Sequence, residues 1–284
     1  MLVFLGAYNN TNAQLTDLLR LEYSFIPKNK SEDHYTRLRG LINYPIKLSE
    51  DGYLIVGGEY NRILLNLEDD YPFETALLDK IHVIDLSLGY TFKWNDKWRA
   101  GFKFNPRIAS TLTKSLVSED YFMNGGVYFI HDRTKDTDLK RPFRLILGLT
   151  YNATTGIPFP LPFVSYFREI NHNWSVNLGV PKSNLKYAIN QQNNIQAFVG
   201  LDGYLAHIQQ PLLIDGEEVE NISLSIIVGG VGYEYLFTKH LVGYLYTGYT
   251  FRLNNVLRNN KRDEIYKLDD VNAFYLRTGI KFKL

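Results

Sequence analysis

Hydrophobic and polar residues alternate along much of this chain, which is the pattern of β-strands with one apolar and one polar face. From Asp85 to Trp94 the sequence reads D-L-S-L-G-Y-T-F-K-W, with an aliphatic or aromatic residue at every second position. The alternation resumes after Asn95–Lys97, and so short a connection between two alternating runs predicts a β-hairpin. The same period returns in residues 143–152, 174–180 and 275–284.

The connections between the predicted strands alternate between short and long. The short ones are Ser49–Gly52, Asn95–Lys97, Thr134–Lys140, Asn171–Asn173, Gln191–Asn194 and Phe237–His240. The long ones are Pro27–Asp33, Leu67–Lys80, Ser110–Asp120, Ala153–Pro160, Gln209–Asn221 and Asn254–Asp270, and the brief turn Pro181–Asn184 takes a place among them. This rhythm is typical of a membrane barrel with short periplasmic turns and longer external loops.

We therefore predict an all-β fold: a transmembrane, antiparallel, up-and-down β-barrel of about 14 strands. The pair of strands around Val180 and Leu185 is short, so about 12 strands is the alternative. Between Ile222 and Tyr235 the alternation slips near Gly229-Gly230, which we interpret as a β-bulge.

Alternation also fits a soluble barrel or sandwich, in which the apolar face points inward. Three features favour an apolar face in contact with lipid. The polar face carries many charged residues and glycines, as a wet lumen would. All three tryptophans, Trp94, Trp98 and Trp174, lie beside short turns, where aromatics form a membrane-interface belt. The alternation also reaches Leu284, similar to the C-terminal assembly signal of outer-membrane proteins, although those usually end in an aromatic residue.

Composition supports strands and excludes several kinds of site. The chain has 21 Tyr, 17 Phe and 3 Trp, and such aromatics favour half-buried strand positions. It has no cysteine, which excludes disulfides, thiolate nucleophiles and Cys-based metal sites. The formal net charge of +1 does not point to nucleic acid. The six histidines form no HxxxH or HExxH pair, so we predict neither a metal site nor a cofactor.

The N-terminus carries a weak targeting signal. Met1–Ala7 is apolar, and Thr11–Ala13 could be a small-residue cleavage site. We predict that residues 1–13 are the remnant of a signal peptide and that residues 14–284 form a single barrel domain. The alternative is a frayed apolar N-terminus.

Two segments carry a resemblance to a known family. Gly156–Pro162 reads G-I-P-F-P-L-P, and Trp174–Lys182 reads W-S-V-N-L-G-V-P-K. With the Ala13-Gln14 junction, they resemble an uncharacterised outer-membrane β-barrel family of Bacteroidota. The resemblance implies a barrel in the bacterial outer membrane and brings no substrate or catalytic residues. The three prolines of Gly156–Pro162 stiffen the backbone, as a constriction, an external cap or a rigid start to the next strand.

The polar face supplies the candidate functional residues. We expect the lumen to be lined by Asp85, Lys93, Arg99, Lys103, Arg144, Arg252, Arg277, Lys281 and Lys283, with Glu59 and Glu234 as their partners. Basic residues outnumber acidic ones on this face. They form either a charged constriction that selects anionic solutes or a mutually paired network that fills a polar interior.

Three charged segments belong to predicted loops. Glu68–Asp70 and Asp215–Glu218 could supply oxygen ligands for calcium but lack the regular spacing of a calcium loop, so we expect solvated loops. Arg258–Arg262 could contact lipopolysaccharide phosphates, and its alternative is again an exposed loop.

The leading hypothesis is a passive channel or facilitator for small hydrophilic solutes, anionic ones among them. The second is a closed structural or accessory barrel that acts through loops or partner proteins. The third, a lipid-modifying barrel enzyme, would need a histidine beside a serine or aspartate at the rim, and we expect no enzyme. The expected partners are the bilayer, lipopolysaccharide and the outer-membrane assembly machinery, but no nucleic acid.

Overall fold

The computed structural model describes residues 17–134, 136, 139–152 and 159–283. The predicted signal remnant and Leu284 lie outside these residues. The strands are β1 (Asp17–Ile26), β2 (His34–Lys47), β3 (Gly52–Asn66), β4 (Lys80–Lys93), β5 (Arg99–Ser110), β6 (Tyr121–Asp132), β7 (Phe143–Asn152), β8 (Phe159–Glu169), β9 (Trp174–Val180), β10 (Lys182–Ala188), β11 (Asn193–Ile214), β12 (Glu217–Leu236), β13 (Leu241–Arg258), β14 (Glu264–Lys267) and β15 (Phe274–Lys283). Two short 3-10 helices cover Thr75–Leu78 and Ser118–Asp120. No helix in the described ranges is long and apolar enough to cross a membrane.

Fourteen of these strands close into an antiparallel barrel. Each strand from β1 to β13 pairs with the next, β13 pairs with β15, and β15 pairs with β1. The short β14 is an addition that pairs with β13 outside the ring. The prediction of a 14-stranded up-and-down barrel is therefore confirmed. The β9–β10 pair, whose shortness suggested twelve strands, is paired on both sides.

The barrel has two unlike ends. The turn end carries the short connections that follow the even-numbered strands β2 to β12, together with Asp17 and Lys283. The loop end carries the connections after the odd-numbered strands β1 to β13. The first residues of the proline-rich segment lie outside the described residues, and its end, from Phe159 to Pro162, starts β8 in register with β7.

The loop predicted at Gln209–Asn221 is a pair of strands, so that prediction was wrong. Strands β11 and β12 are 22 and 20 residues long and continue beyond the loop end. They meet at a two-residue turn, Asp215-Gly216, whose φ angles of 51° and 86° are those of a tight hairpin. One face of this extension is exposed and therefore carries polar residues and a proline. Such residues are typical of loops, which is why the sequence predicted one here.

The outer surface of the barrel is apolar, as predicted. Successive side chains in a strand point to opposite faces, and the aliphatic and aromatic residues at outward positions remain exposed. They include Leu19, Leu38, Ile42, Leu86, Phe102, Leu147, Val199, Leu245 and Ile280. Near the turn end, Trp94 lies 4.9 Å from Phe129 and Trp174 lies 4.8 Å from Tyr187, measured between ring centroids.

The largest buried apolar cluster of the described interior lies near the loop end. There the inward residues form one buried cluster, which we call the apolar plug: Ile26, Tyr35, Ile63, Leu65, Leu78, Ile81, Val83, Ala109, Tyr204, Ala206, Ile208, Leu212, Ile214, Val219, Ile222, Leu224, Ile226, Val228, Leu257, Leu268, Ala273 and Tyr275. The strands that supply the plug are β1 to β5, β11 to β13 and β15. It therefore fills the part of the lumen that these strands enclose at the loop end.

The plug also explains why the predicted bulge was misplaced. Gly229 and Gly230 keep regular pairing with β11, and the irregularity lies at Ser225/Ile226, opposite Leu253 of β13. The inward face of β12 changes from glycine and Glu234 to the buried isoleucines and leucine of the plug. The apolar residues of β12 therefore point outward from Tyr235 to Val231 and inward from Val228 to Ile222. This change of face needs no extra residue at the glycines.

Candidate functional site

The lumen contains three layers between the loop end and the turn end: the apolar plug, a network of paired charges, and a polar chamber. The paired charges, which we call the middle network, come from β1 to β5, β11 and β15. They are Glu22, Arg37, Arg39, Glu59, Asp85, Arg107, Asp202 and Arg277.

Every arginine of the middle network faces a carboxylate. Arg37 donates two hydrogen bonds of 2.9 and 2.7 Å to Asp202, and Arg277 donates one of 2.6 Å to the same group. Arg107 donates two bonds of 2.8 and 2.9 Å to Asp85. Such two-pronged contacts hold the planar guanidinium in one orientation. This layer therefore matches the paired network of the sequence analysis more closely than a set of free cations.

Glu22 joins the two sides of the middle network. Its buried carboxylate lies 3.7 Å from both Arg39 and Arg277 and 3.9 Å from Arg20, and it accepts a 2.7 Å hydrogen bond from Tyr244. A buried carboxylate is costly unless several donors compensate it. The three arginines provide that compensation.

Below the middle network, toward the turn end, lies a cavity of about 280 Å³, which we call the basic chamber. Its lining is Asp17, Arg20, Glu22, Lys182, Asn184, Lys186, Gln196, Glu234, Tyr244, Tyr246, Arg277, Lys281 and Lys283. Six of these side chains are basic and three are acidic. The chamber therefore carries an excess of positive charge.

Part of this positive charge has no carboxylate partner among the described residues. Glu234 accepts hydrogen bonds of 2.7 Å from Lys186 and Tyr246 and of 2.5 Å from Lys281. Among the described residues, neither Lys182 nor Lys283 has a carboxylate within ion-pair distance. The Lys182 ammonium instead lies 5.3 Å from the ring centroid of Tyr246, a weaker cation–π contact.

Glycines in the wall seat the two tyrosines of the chamber. A Cβ on Gly232 would collide with the ring of Tyr246, and one on Gly279 would lie 2.7 Å from the Tyr244 hydroxyl. Only glycine lets these rings lie flat against the strand beside them. Their hydroxyls then reach Glu234 and Glu22.

At the loop end, the tip of the β11–β12 hairpin (residues 207–221) crosses the lumen. His207 pairs with Ser110 of β5, which is six strands away around the ring, and its carbonyl accepts a 3.1 Å bond from the Thr111 amide. Asp120 lies 2.8 Å from His207 Nδ1 and accepts a 2.7 Å bond from Gln209. We call these five residues the latch.

The latch surrounds a fully buried carboxylate. Burial alone would raise the pKa of Asp120. Hydrogen bonds from the Val117 amide, Ser110, His207 and Gln209 outweigh it and hold the pKa of Asp120 below its usual value. Beneath the latch, Ile208, Leu212, Ile214, Val219 and Ile222 of the tip are buried in the apolar plug. The part of the described lumen that β1 to β5, β11 to β13 and β15 enclose is therefore closed at the loop end.

The latch places a histidine beside an aspartate and a serine at the rim, which the enzyme hypothesis required. Ser110, however, hydrogen-bonds to Asp120 and to the Leu112 amide, while His207 contacts Asp120. A nucleophilic hydroxyl needs the histidine as its own partner. All three groups are also buried. The geometry is that of a structural contact between two segments.

The lumen residues proposed from the sequence occupy different layers. Glu59, Asp85 and Arg277 belong to the middle network, and Glu234, Lys281 and Lys283 line the basic chamber. Lys103 is exposed between Gly89 and Gly126, and Arg144 lies opposite Asp132 in the β6–β7 register.

Three of the proposed residues lie at the rims. Lys93 forms a 2.8 Å ion pair with Asp96 of its own turn, and Arg99 donates a 2.6 Å bond to the Asp51 carbonyl. Arg252 pairs with Asp269 at the loop end.

Sequence reasoning missed Arg20, Glu22, Arg37, Arg39, Arg107, Lys182, Lys186 and Asp202. The sequence did carry a signal for four of them. In Arg20-Leu21-Glu22 and Arg37-Leu38-Arg39 the charged residues are two positions apart, which places both on the same face of a strand.

The acidic segment Glu68–Asp70 is held in place by backbone hydrogen bonds and an ion pair. The amides of Glu68 and Asp69 donate 2.8 and 3.1 Å bonds to Asp33, and the Glu68 carboxylate pairs with Lys28 at 2.7 Å. In the described ranges, no group of three or more His, Asp or Glu side chains could hold a metal ion.

A protein-family model described as "Domain of unknown function (DUF6268)" matches residues 50–283. The comparison with curated proteins found no match. Among solved structures, the chain is similar to a KdgM porin (11% identity, 93% of this chain and 99% of that one, TM-score 0.38) and a NanC porin (12%, 94% and 100%, 0.40). It is also similar to LpxR from Salmonella typhimurium (9%, 94% and 99%, 0.42). These values are too low to transfer a function. The Bacteroidota affiliation stays a prediction.

Proposed function

The chain belongs to the DUF6268 family, a domain of unknown function, and we propose that it is a bacterial outer-membrane facilitator for small anionic solutes. The observation that carries the proposal is the basic chamber. Six basic side chains face three carboxylates there, and Lys182 and Lys283 have no carboxylate partner in the described part of the chain. An anion that binds these lysines displaces no existing ion pair, so its attraction to them is not offset by the loss of one.

The proposed orientation places the turn end in the periplasm and the loop end outside the cell, as in other outer-membrane barrels. The apolar outer surface supports a position in the bilayer. Trp94, Trp98 and Trp174 would then lie at the periplasmic interface. Arg258–Arg262 would face the lipopolysaccharide phosphates.

A second candidate function is a closed accessory barrel. The observation in its favour is the hairpin tip, which crosses the lumen and packs into the apolar plug. Through the part of the lumen that the plug fills, a solute in the basic chamber reaches the loop end only if residues 207–221 move. The facilitator function therefore requires the tip to be a gate, and the accessory function requires it to be a permanent closure.

Conductance in planar bilayers separates the two functions. In the test variant, residues 207–221 are replaced by Asn-Gly, which joins the paired residues Ala206 and Ile222 through a two-residue turn. The facilitator proposal expects this variant to conduct with a preference for anions. It expects Lys182→Gln with Lys283→Gln to reduce that preference. A shortened variant that folds and conducts no ions would contradict the proposal and favour the closed barrel.

A reversible lock supplies the matched control. The chain has no cysteine, and residues 110 and 207 are bridge partners, so Ser110→Cys with His207→Cys can form one disulfide. The oxidised variant should hold the tip in place and abolish any conductance of the full-length barrel. Reduction should restore it. Equal and measurable conductance in both states would show that the tip is not the gate.

A further inference from the structure

The outer surface of β3 and β4 changes from apolar to basic as the strands approach the loop end. On β4 the outward side chains nearer the turn end are large and apolar, and the last of them is Ile84. The next two outward positions are His82 and Lys80. On β3 the exposed Tyr60 is followed on the same side by Arg62. We call Tyr60, Arg62, Lys80 and His82 the basic patch.

The level of the basic patch follows from strand geometry. Trp94, in the aromatic belt of the turn end, lies twelve residues from His82 along the chain. Twelve residues of strand span about 40 Å, and a tilt of roughly 40° reduces this to about 30 Å along the barrel axis. The apolar band of an outer-membrane barrel is about 25 Å tall. The basic patch therefore lies just outside the hydrocarbon, at the level of the lipid head groups.

The two cations of the basic patch are neighbours without an acidic partner. Arg62 pairs with His82 in the β3–β4 register, and Lys80 is its diagonal neighbour on the same side. Diagonal neighbours lie about 7–8 Å apart, which long side chains can bridge. Both cations are exposed, and no carboxylate of the described residues, Asp79 included, lies within ion-pair distance of either. An anion that binds both would offset the repulsion between them.

Tyr60 and His82 extend the set of donors. The Tyr60 hydroxyl lies 2.8 Å from His82 Nδ1, and the two rings stack with their centroids 6.0 Å apart. When the hydroxyl donates this bond, the neutral imidazole carries its proton on Nε2, which is then a further donor. Guanidinium, ammonium and imidazole N–H groups side by side suit the several acceptor oxygens of a phosphate.

The basic patch borders on apolar surface. Leu38 pairs with Arg62 across β2 and β3 and is 55% exposed, and Ile84, which follows His82 on the outward side, is 42% exposed. A ligand that carries hydrocarbon beside its phosphate can contact both surfaces, whereas free phosphate contacts only the basic patch. The chemistry of the two surfaces together is that of a phosphorylated lipid.

We propose that Arg62 and Lys80 bind a phosphate of lipid A, the phosphorylated glycolipid that anchors lipopolysaccharide in the outer leaflet. His82 is a further donor to this phosphate, and the acyl chains lie against Leu38 and Ile84. The interaction depends on the proposed orientation of the barrel in the outer membrane. It does not depend on solute transport.

The test is native mass spectrometry of the full chain in detergent micelles that contain lipid A with both of its phosphates or lipid A with neither. We expect about tenfold weaker binding of the dephosphorylated lipid. Arg62→Gln with Lys80→Gln should weaken binding of the phosphorylated lipid by a similar factor and leave that of the dephosphorylated lipid unchanged. Inorganic phosphate in large excess should not displace lipid A.

A matched control separates the basic patch from net charge. Lys47→Gln with Lys97→Gln removes two exposed lysines near the turn end and should leave the binding of both lipids unchanged. The shift of folded barrels in unheated gel electrophoresis verifies that each variant has folded.

Three results would overturn the inference. They are equal binding of the two lipids, full binding of the phosphorylated lipid by Arg62→Gln with Lys80→Gln, and displacement of lipid A by inorganic phosphate, which would indicate a site for soluble phosphate. None of them bears on the proposed function. That function fails if the shortened barrel conducts no ions, a result that leaves lipid binding untouched.

Discussion

The latch can be weakened without removing any packing, by the substitution Asp120→Asn. The Asp120 carboxylate receives hydrogen bonds from Gln209 at 2.7 Å and from the Val117 amide at 3.0 Å, and lies 2.8 Å from His207 Nδ1. Asparagine has the same shape, but it carries no charge and turns one acceptor oxygen into a donor. At least one group of the hairpin tip then loses its partner.

The size of the effect follows from these contacts. A hydrogen bond to a charged group contributes about 1.5–3 kcal/mol, so we expect the substitution to weaken the latch by about 2–4 kcal/mol. The tip also buries five aliphatic side chains in the plug, and each contributes about 1.5–3 kcal/mol, on the order of 10 kcal/mol together. Packing outweighs the latch, so the tip of the variant stays closed most of the time but opens about 30- to 900-fold more often.

Thiol labelling measures such rare opening. Ile208→Cys introduces the only thiol at a fully buried position of the tip, and its reaction with a maleimide at neutral pH reports exposure to water. The labelling rate should rise by about 30- to 900-fold when Asp120→Asn is added. Leu213→Cys, at a position that is 68% exposed, is the control and should not change. A rise of less than about threefold at position 208 would refute the assigned role of the latch.

The same contacts predict a dependence on pH. Because the pKa of Asp120 is lowered in the folded protein, its stabilising contribution is complete above its usual value of about 3.9 and is lost only as the pH falls through the lower folded value. Hydrogen exchange at the Thr111 amide, corrected for the intrinsic rate, should therefore accelerate only below about pH 4. Acceleration between pH 5 and pH 7 would assign the titration to another group.

Two further predictions concern the wall and the middle network. Gly232→Ala should destabilise the barrel by about 1–3 kcal/mol because the added Cβ displaces the ring of Tyr246. In urea unfolding from liposomes, the control Gly229→Ala, where a Cβ meets nothing within 4 Å, should change little. Asp85→Leu alone should cost about 3–5 kcal/mol because it leaves Arg107 buried without its partner, and adding Arg107→Leu should recover most of the loss. A double variant as unstable as the single one would contradict this account.

The sequence predicted the barrel because alternation survives wherever the two faces meet different surroundings. Leu86, Leu88 and Tyr90 lie on the outer surface as expected, and Asp85 and Ser87 point inward. The prediction failed where the apolar side chains change from one face of a strand to the other. In the upper half of β12, Ile222, Leu224 and Ile226 point into the plug and alternate with Ser223 and Ser225, so the phase of the alternation reversed although the strand continued.

The candidate site was less accessible because partners in a barrel lie far apart in sequence. Asp202 stands between leucine and glycine with no local sign of its role, and it meets Arg37 and Arg277 only after the ring closes. The latch joins residues 110–120 to 207–209 across the lumen. No period or motif encodes such a contact. Inward positions can be read from the sequence, but their pairing requires the fold.

The two proposed functions differ in one free energy, the cost of withdrawing the hairpin tip. At about 10 kcal/mol from packing alone, roughly one barrel in ten million would be open at equilibrium. Ligand in the basic chamber lowers this cost only if it binds the open state more tightly, and the middle network separates the chamber from the tip. A facilitator therefore needs a second agent at the loop end, such as a partner protein or a solute that binds the tip. Without such an agent, the chamber is a binding site reached from the turn end. If the shortened barrel conducts ions and the full-length chain does not, the chamber connects to a passage that the tip controls.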